Sequence, residues 1–305
     1  MSAFADMGTF FVLKKKGVAD MTVLKLNGLT QNKPENYQID PKYSILVLNL
    51  MPTKADTEEQ ISKLFAELDT PVALTFLYPK SHIWKHGNQA ELAYRYATLD
   101  SIRQQYFDGL IVTGAPVEKL DFEDVDYWDE FLEIQDWSRR HTVSQLFTCW
   151  GAQAALYADF QIPKVNVTRK IFGVYDNQVS NTSLPRNFLM PQSRYSKVET
   201  KAVKDVPELQ ILADNDQTGP FFLEARKYHS IYVMGHPEYK ANTLVDEYYR
   251  DLNKHQAINK PTNISLTDPI PTYTRWHHSS LNLYHNWLNQ IQEEKNNYEQ
   301  RQLQI

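Results

Sequence analysis

Along this chain, short apolar runs alternate with stretches of helical period. Residues 44–50, Ser-Ile-Leu-Val-Leu-Asn-Leu, are apolar without a 3.6-residue repeat, which predicts a strand buried on both faces. Beyond it Ile61, Leu64, Phe65 and Leu68 recur at helical spacing, with Asp56 or Thr57 placed to cap the helix. Residues 72–77 and 109–113 read as the next two strands, the second ending at Gly114-Ala-Pro116. A helix follows through Tyr127, Phe131, Ile134 and Trp137. The strand at 143–148 then runs directly into a helical segment at 153–158. Residues 230–234 form another strand and 244–252 another helix. A final helix is expected from about Ser280, where Leu281, Tyr284, Trp287, Leu288 and Ile291 share one face, into the polar stretch 290–304. Before it, Pro261, Pro269 and Pro271 make 256–274 read as a long loop. Alternation of this kind predicts an α/β fold, a mostly parallel sheet flanked by helices. Sites in such folds lie at the carboxyl ends of strands.

Composition narrows the class. With 42% hydrophobic residues and 18 tyrosines, 14 phenylalanines and 6 tryptophans, the 305 residues can bury a substantial core. The net charge of −5, without a clustered basic stripe, argues against nucleic acid as a partner. No apolar run approaches the roughly 20 residues of a membrane helix. Near the start, apolar residues 10–13 precede Lys14, Lys15 and Lys16, the reverse of a secretory signal. A cytoplasmic protein with no membrane partner is expected. Residues 1–40 read as an extension, within which Met21 is an alternative start, and 41–305 as a single domain with a C-terminal helix.

One cysteine, Cys149, excludes intrachain disulfides and multi-cysteine metal sites. It falls between a strand and a helix, the position of a nucleophile elbow, where the helix N-terminus favours a thiolate and the Trp150 N–H faces an oxyanion. The bland alternative is a buried, inert thiol. After the strand at 230–234 comes Gly235-His-Pro-Glu-Tyr239. Residues i and i+2 of an extended segment point the same way, so His236 and Glu238 can converge and supply the base and orienting acceptor that a thiol nucleophile needs. Alone, that segment is an ordinary surface loop. Glu118, after the turn that follows 109–113, faces the same end of the sheet and by itself requires no function.

His82 and His86 are spaced for one helix face, but Pro79, Ser81 and Gly87 make their segment a loop. His277 and His278 are adjacent and cannot share a strand face. No functional metal is expected, and no glycine-rich phosphate loop is present.

Several segments occur in order: Asn49-Leu-Met-Pro-Thr-Lys54, Phe107-Asp-Gly-Leu-Ile-Val-Thr-Gly-Ala-Pro116, Cys149-Trp-Gly-Ala-Gln-Ala-Ala-Leu156, Lys170-Ile-Phe-Gly-Val-Tyr175, Ser193-Arg-Tyr195, Gly235-His-Pro-Glu-Tyr239 and Glu247-Tyr-Tyr-Arg250. Together they closely resemble the homoserine O-acyltransferases of methionine biosynthesis, of the homoserine O-succinyltransferase type, over residues 45–288. The resemblance implies a class I glutamine amidotransferase-like (flavodoxin-like) fold, a ping-pong mechanism and a homodimer. It implies no cofactor, with acetyl-CoA as a co-substrate. Carried over by position, Cys149 takes the acyl group, His236 is the general base and acid, and Glu238 orients it. The backbone at Lys54 and Trp150 forms the oxyanion hole, and Lys170, Ser193 and Arg250 hold the amino acid. Glu118 occupies the position that sets the acyl donor, where glutamate accompanies acetyl-CoA and glycine succinyl-CoA. Its charge would repel the free carboxylate of a succinyl group.

Departures from the family pattern bear on the acceptor. The segment before residue 45 is divergent, and Thr53 stands where many members have lysine. Gln192 replaces a usual histidine before Ser193, Arg169 a frequent glutamate before Lys170, and His277 an arginine after Trp276. Because Gln192 and Arg169 flank expected amino-acid contacts, L-serine, with cysteine biosynthesis as the pathway, is the alternative to L-homoserine. A missing methylene discriminates by only about 1–3 kcal/mol. A glutamine amidotransferase would use the same Cys149, His236 and Glu238 but leaves Glu118, Lys170 and Arg250 unexplained. A redox sensor built on Cys149 leaves His236 and Glu238 unexplained.

Overall fold

The computed structural model describes residues 22–31, 40–83, 89–180 and 187–302. Among these residues one ten-stranded sheet is formed by β1 (Val23–Lys25), β2 (Tyr43–Leu48), β3 (Val72–Leu77), β4 (Phe107–Val112), β5 (Thr142–Thr148), β6 (Lys164–Val179), β7 (Asn187–Val198), β8 (Gln210–Asn215), β9 (Gly219–Ala225) and β10 (Ser230–Val233), in the order β1-β3-β2-β4-β5-β10-β9-β8-β6-β7. From β1 to β10 every pairing is parallel; beyond β10 every pairing is antiparallel. Helices α1 (Lys54–Ala66), α2 (Gln89–Arg95), α3 (Leu99–Ile102), α4 (Trp128–His141), α5 (Trp150–Phe160), α6 (Thr200–Lys204), α7 (Thr243–Asn253) and α8 (Ile270–Gln302) complete the chain. No helix among the described residues is long and apolar enough to cross a membrane.

The parallel half follows the hydrophobic pattern closely. Ile45, Leu46, Val47 and Leu48 are all buried because helices cover both faces, which is why that strand lacks alternation. α5 is buried almost throughout and its small residues let it lie against the sheet: a β-carbon on Gly151 would fall 2.7 Å from the Thr113 carbonyl oxygen. On β4, Gly109 leaves room for an indole, since a β-carbon there would lie 2.6 Å from Cη2 of Trp287. That indole, fully buried on α8, donates from Nε1 to Ser144 Oγ on β5 at 2.9 Å.

Four expectations shift. α1 starts at Lys54 with Thr53 as its N-terminal neighbour and no side-chain cap, so Asp56 lies in its first turn and Thr57 donates from Oγ1 to the Thr53 carbonyl at 3.3 Å. α8 starts at Ile270, ten residues early, because Pro271 occupies the first turn, where its missing N–H costs nothing. The expected 256–274 loop is thus shortened at its end. The N-terminal stretch is partly built into the sheet: β1 pairs with β3, and Glu58 on α1, fully buried, accepts the backbone N–H groups of Leu29 and Thr30 at 2.8 Å each and the Tyr96 hydroxyl at 2.6 Å. Residues 10–16 and Met21 lie outside the described residues. Finally, β6 to β9 supply an antiparallel half that the pattern of the chain did not announce.

Candidate active site

Three neighbouring strand tips meet: Gly114 just beyond β4, Cys149 at the end of β5 and His236 beyond β10. Cys149 has φ 49° and ψ −115°, a left-handed backbone that a cysteine adopts only under strain. The strain comes from turning a parallel strand into α5 within one residue. Its N–H donates to the Val233 carbonyl at 2.8 Å, tying the elbow to β10. Trp150 opens α5, so its N–H belongs to the first-turn donors that have no partner within a helix.

From β10 the chain continues to His236, whose backbone N–H donates to the Pro191 carbonyl at 2.9 Å and whose ring stacks on Tyr239 with centroids 4.2 Å apart. Its Nδ1 lies 2.8 Å from Glu238 Oε1, which leaves Nε2 for the neighbouring Cys149 thiol. Both side chains are buried. Burial alone would push the imidazole pKa down; the facing Cys149 and Glu238 charges and hydrogen bonds outweigh it and hold the pKa well above the usual histidine range. Gly114 makes the space: a β-carbon there would stand 3.1 Å from Cys149 Cβ and 3.2 Å from His236 Cε1.

Beside this triad lies a cluster of charges from β6, β7 and α7. Ser193 Oγ donates to Glu247 Oε2 at 2.5 Å, and the Tyr239 hydroxyl donates to Glu247 Oε1 at 2.6 Å. Lys170 Nζ sits 3.5 Å from Glu247 Oε2 and 3.4 Å from Asp251 Oδ2. Arg250 donates from Nε and Nη2 to Asp251 Oδ1 at 2.8 and 2.7 Å. A carboxylate and a guanidinium side by side suit the ammonium and carboxylate of an amino acid. Tyr195 bridges this cluster and the loop carrying Glu118. Lys119 Nζ lies 4.7 Å and Lys170 Nζ 5.8 Å from its ring centroid, and burial, with the charges of Asp251 and Glu118, raises its hydroxyl pKa.

Lys54 occupies the first position of α1, with its backbone at the helix N-terminus and its side chain turned to the Asn49 and Met51 carbonyls at 2.6 and 3.1 Å. Burial holds that ammonium well below the usual lysine range, partly offset by Glu58.

Neither of the two departures that suggested a changed acceptor makes a polar contact with Lys170, Ser193 or Arg250 among the described residues. Gln192 is fully buried and on the opposite face of β7 from Ser193; its Oε1 accepts from Arg194 Nη2 at 2.7 Å. Arg169 is exposed. His277 bonds Glu67 Oε2 through Nε2 at 2.6 Å, joining α8 to the end of α1. His82 pairs with Asp126 at 2.7 Å, and His86 lies outside the described residues. Among the described residues no three His, Cys, Asp or Glu side chains are grouped to hold a metal.

Three residues of the site escaped the sequence reading. Among the described residues Arg194 is buried without a carboxylate partner; it donates to the carbonyls of Met234 and Thr218 at 3.1 and 3.0 Å and to that of Ser196. Burial lowers its pKa to about 10, against the charges of Cys149 and Tyr175. Glu247 and Asp251 were legible as acidic neighbours of Arg250 on one helix, with 247 and 251 sharing a face.

Comparison with known proteins identifies the family and the fold. Residues 15–298 match the family model described as homoserine O-succinyltransferase, so the match includes most of the stretch before residue 45. A homoserine O-acetyltransferase of Thermotoga neapolitana is 40% identical over 286 residues, 91% of each chain. One from Lactococcus lactis subsp. lactis is 39% identical over 269 residues, 86% of this chain and 84% of that one. Among solved structures, a glutamine amidotransferase from Thermotoga maritima superposes with a TM-score of 0.55 at 12% identity, over 82% of this chain and 97% of the other. The fold is therefore that of the class I glutamine amidotransferases, and the chain belongs to the homoserine O-succinyltransferase family.

Proposed function

We propose that this protein is a homoserine O-acetyltransferase of methionine biosynthesis, moving an acetyl group from acetyl-CoA through a thioester on Cys149 to the side-chain hydroxyl of L-homoserine. The observation that carries the reading is the buried chain Cys149–His236–Glu238 at adjoining strand tips, beside a cluster matched to an amino-acid zwitterion. In the first half-reaction the Cys149 thiolate attacks the thioester carbonyl; the C–S bond to CoA breaks, and His236 protonates the departing CoA thiolate. In the second, His236 takes the proton of the acceptor hydroxyl, whose oxygen attacks the Cys149 thioester, and the Cys149 thiolate leaves. The Trp150 and Lys54 N–H groups stabilise the oxyanion in both steps. Glu238 holds the imidazole with Nε2 toward the sulfur.

Glu118 supports acetyl as the transferred group. A second carboxylate about 4 Å away costs about 4 kcal/mol at an effective dielectric of 20, enough to disfavour succinyl-CoA. Homoserine is supported as acceptor by relatives named homoserine O-acetyltransferase, and Gln192, turned to Arg194 on the face of β7 opposite Ser193, gives no contact that favours serine. A glutamine amidotransferase reading leaves the Lys170, Glu247 and Arg250 cluster without a task. CoA enters as a co-substrate, and the chemistry asks for no cofactor.

Incubation with acetyl-CoA alone should add one acetyl group, lost in Cys149→Ala, on intact mass. L-Homoserine should then discharge it faster than L-serine. An unmodified Cys149 with every acyl-CoA offered ends the transferase reading, and faster discharge by serine moves the acceptor.

A further inference from the structure

The pair formed by Arg250 and Asp251 is not a default of helix geometry. Adjacent residues on a helix project about 100° apart and do not face each other. Here Arg250 folds back so that both Nε and Nη2 reach one oxygen, Asp251 Oδ1, at 2.8 and 2.7 Å. Asp251 Oδ2 takes Lys170 Nζ at 3.4 Å from β6, on the other side of the site. The Asp251 side chain is only 7% exposed, and a buried carboxylate is tolerated because cations occupy both of its oxygens. The Arg250 side chain is 53% exposed. With its Nε edge committed to Asp251, the guanidinium offers its other edge, Nη1 and the second Nη2 proton, to an incoming carboxylate.

Charge balance sharpens the point. Lys170 and Arg250 face Glu247 and Asp251, two positive against two negative, and Lys170 already touches both acids. Without Asp251, the nearest acid left for both cations is Glu247, whose charge Arg250 already senses. That carboxylate is also the one available to a substrate ammonium.

We propose that Asp251 is a positioning residue for the acceptor half-reaction: it fixes the Arg250 fork to receive the amino-acid carboxylate, keeps that fork off Glu247, and shares the Lys170 ammonium with Glu247. This rests on the acyl-transfer reading, and its test is built so that the two fail separately. In Asp251→Asn, acetylation of Cys149 by acetyl-CoA should stay within twofold of wild type, while the KM for L-homoserine rises tenfold or more with a smaller change in kcat. 3-Amino-1-propanol, homoserine without its carboxylate, should be used equally poorly by wild type and variant. Calorimetric binding of L-homoserine to the unacylated protein gives the same answer without any transfer, as a Kd raised tenfold or more. An equal penalty with 3-amino-1-propanol, slowed acetylation, or an unchanged homoserine Kd each overturns the proposal. Wild-type protein that binds homoserine but never acquires an acetyl group refutes the transfer reading and leaves the binding comparison to decide on Asp251. Asp251→Glu, checked by its melting temperature, guards against an asparagine variant that loses the fold.

Discussion

Replacing Gly114 by alanine tests how narrowly the nucleophile and its base are spaced. The added methyl would sit 3.1 Å from Cys149 Cβ, 3.2 Å from His236 Cε1 and 3.6 Å from the sulfur. Gly114 does not use a left-handed backbone, so alanine meets only a shortage of room. Neither neighbour yields freely: Cys149 is tied by its N–H to Val233, and His236 is held by Pro191 and Glu238. Each must give by a few tenths of an ångström. A displacement of 1 Å between reacting groups costs about 100-fold, so a combined shift of about half that predicts roughly a tenfold slower acetylation of Cys149. Overpacking should cost about 1–3 kcal/mol, toward the lower figure because side chains rather than backbone are pressed. Quenched-flow mass spectrometry reads the rate and a thermal melt reads the stability. Gly151→Ala is the contrast: its methyl would meet the Thr113 backbone carbonyl at 2.7 Å, which cannot rotate away, so stability should fall further there. Gly114→Ala acetylating at the wild-type rate would refute the spacing argument.

Other outcomes follow from single contacts. Glu118→Gly should shift the ratio of kcat/KM toward succinyl-CoA by tenfold or more in steady-state kinetics, and an unchanged ratio would separate Glu118 from donor choice. The hydrogen bond from His277 lowers the Glu67 pKa below its ordinary 4.5, so its stabilisation is full above that value and is lost as pH falls through the folded pKa. The Tm gap between wild type and Glu67→Gln should therefore close on acidification below 4.5; a gap that widens instead contradicts the assignment. Because Cys149 has φ 49°, Cys149→Gly should be more stable than Cys149→Ala by about 1–2 kcal/mol in urea titrations, despite glycine's looser unfolded chain. Arg194→Met leaves carbonyl acceptors unpaired in the interior and should cost about 1–3 kcal/mol, measurable the same way.

The parallel half of the fold was legible because burial on both faces leaves an unbroken apolar run, as in residues 72–77, where strand and expectation coincide. Cys149 and His236 could be placed because each follows such a run directly, and strand tips in a parallel sheet converge. β6 was obscure for the opposite reason. Its first half is polar and exposed, and its register with β7 slips between Asn166 and Ile171, so no alternation survives. Asp56 was a reasonable cap by type, but the helix begins where the Asn49 side chain and the Lys54 ammonium satisfy nearby carbonyls, tertiary contacts that local spacing does not carry. Gln192 misled because proximity in sequence to Ser193 is opposition in space on a strand.

The indole that fills the gap left by Gly109 has a consequence for how the protein is made. Trp287 belongs to the 33-residue helix at the end of the described chain, which also reaches Asp108 through Lys295 and Tyr43 through Gln292. At about 5–20 residues per second, a ribosome needs about 3–11 seconds to go from the end of β10 at Val233 to Trp287. Through that interval the sheet stands with a tryptophan-sized opening, and the apolar sides of β4 and β5 face solvent. Closure of that part of the sheet thus waits on synthesis of α8. A chain stalled before Trp287 would be a candidate for chaperone capture or proteolysis rather than a partly working enzyme.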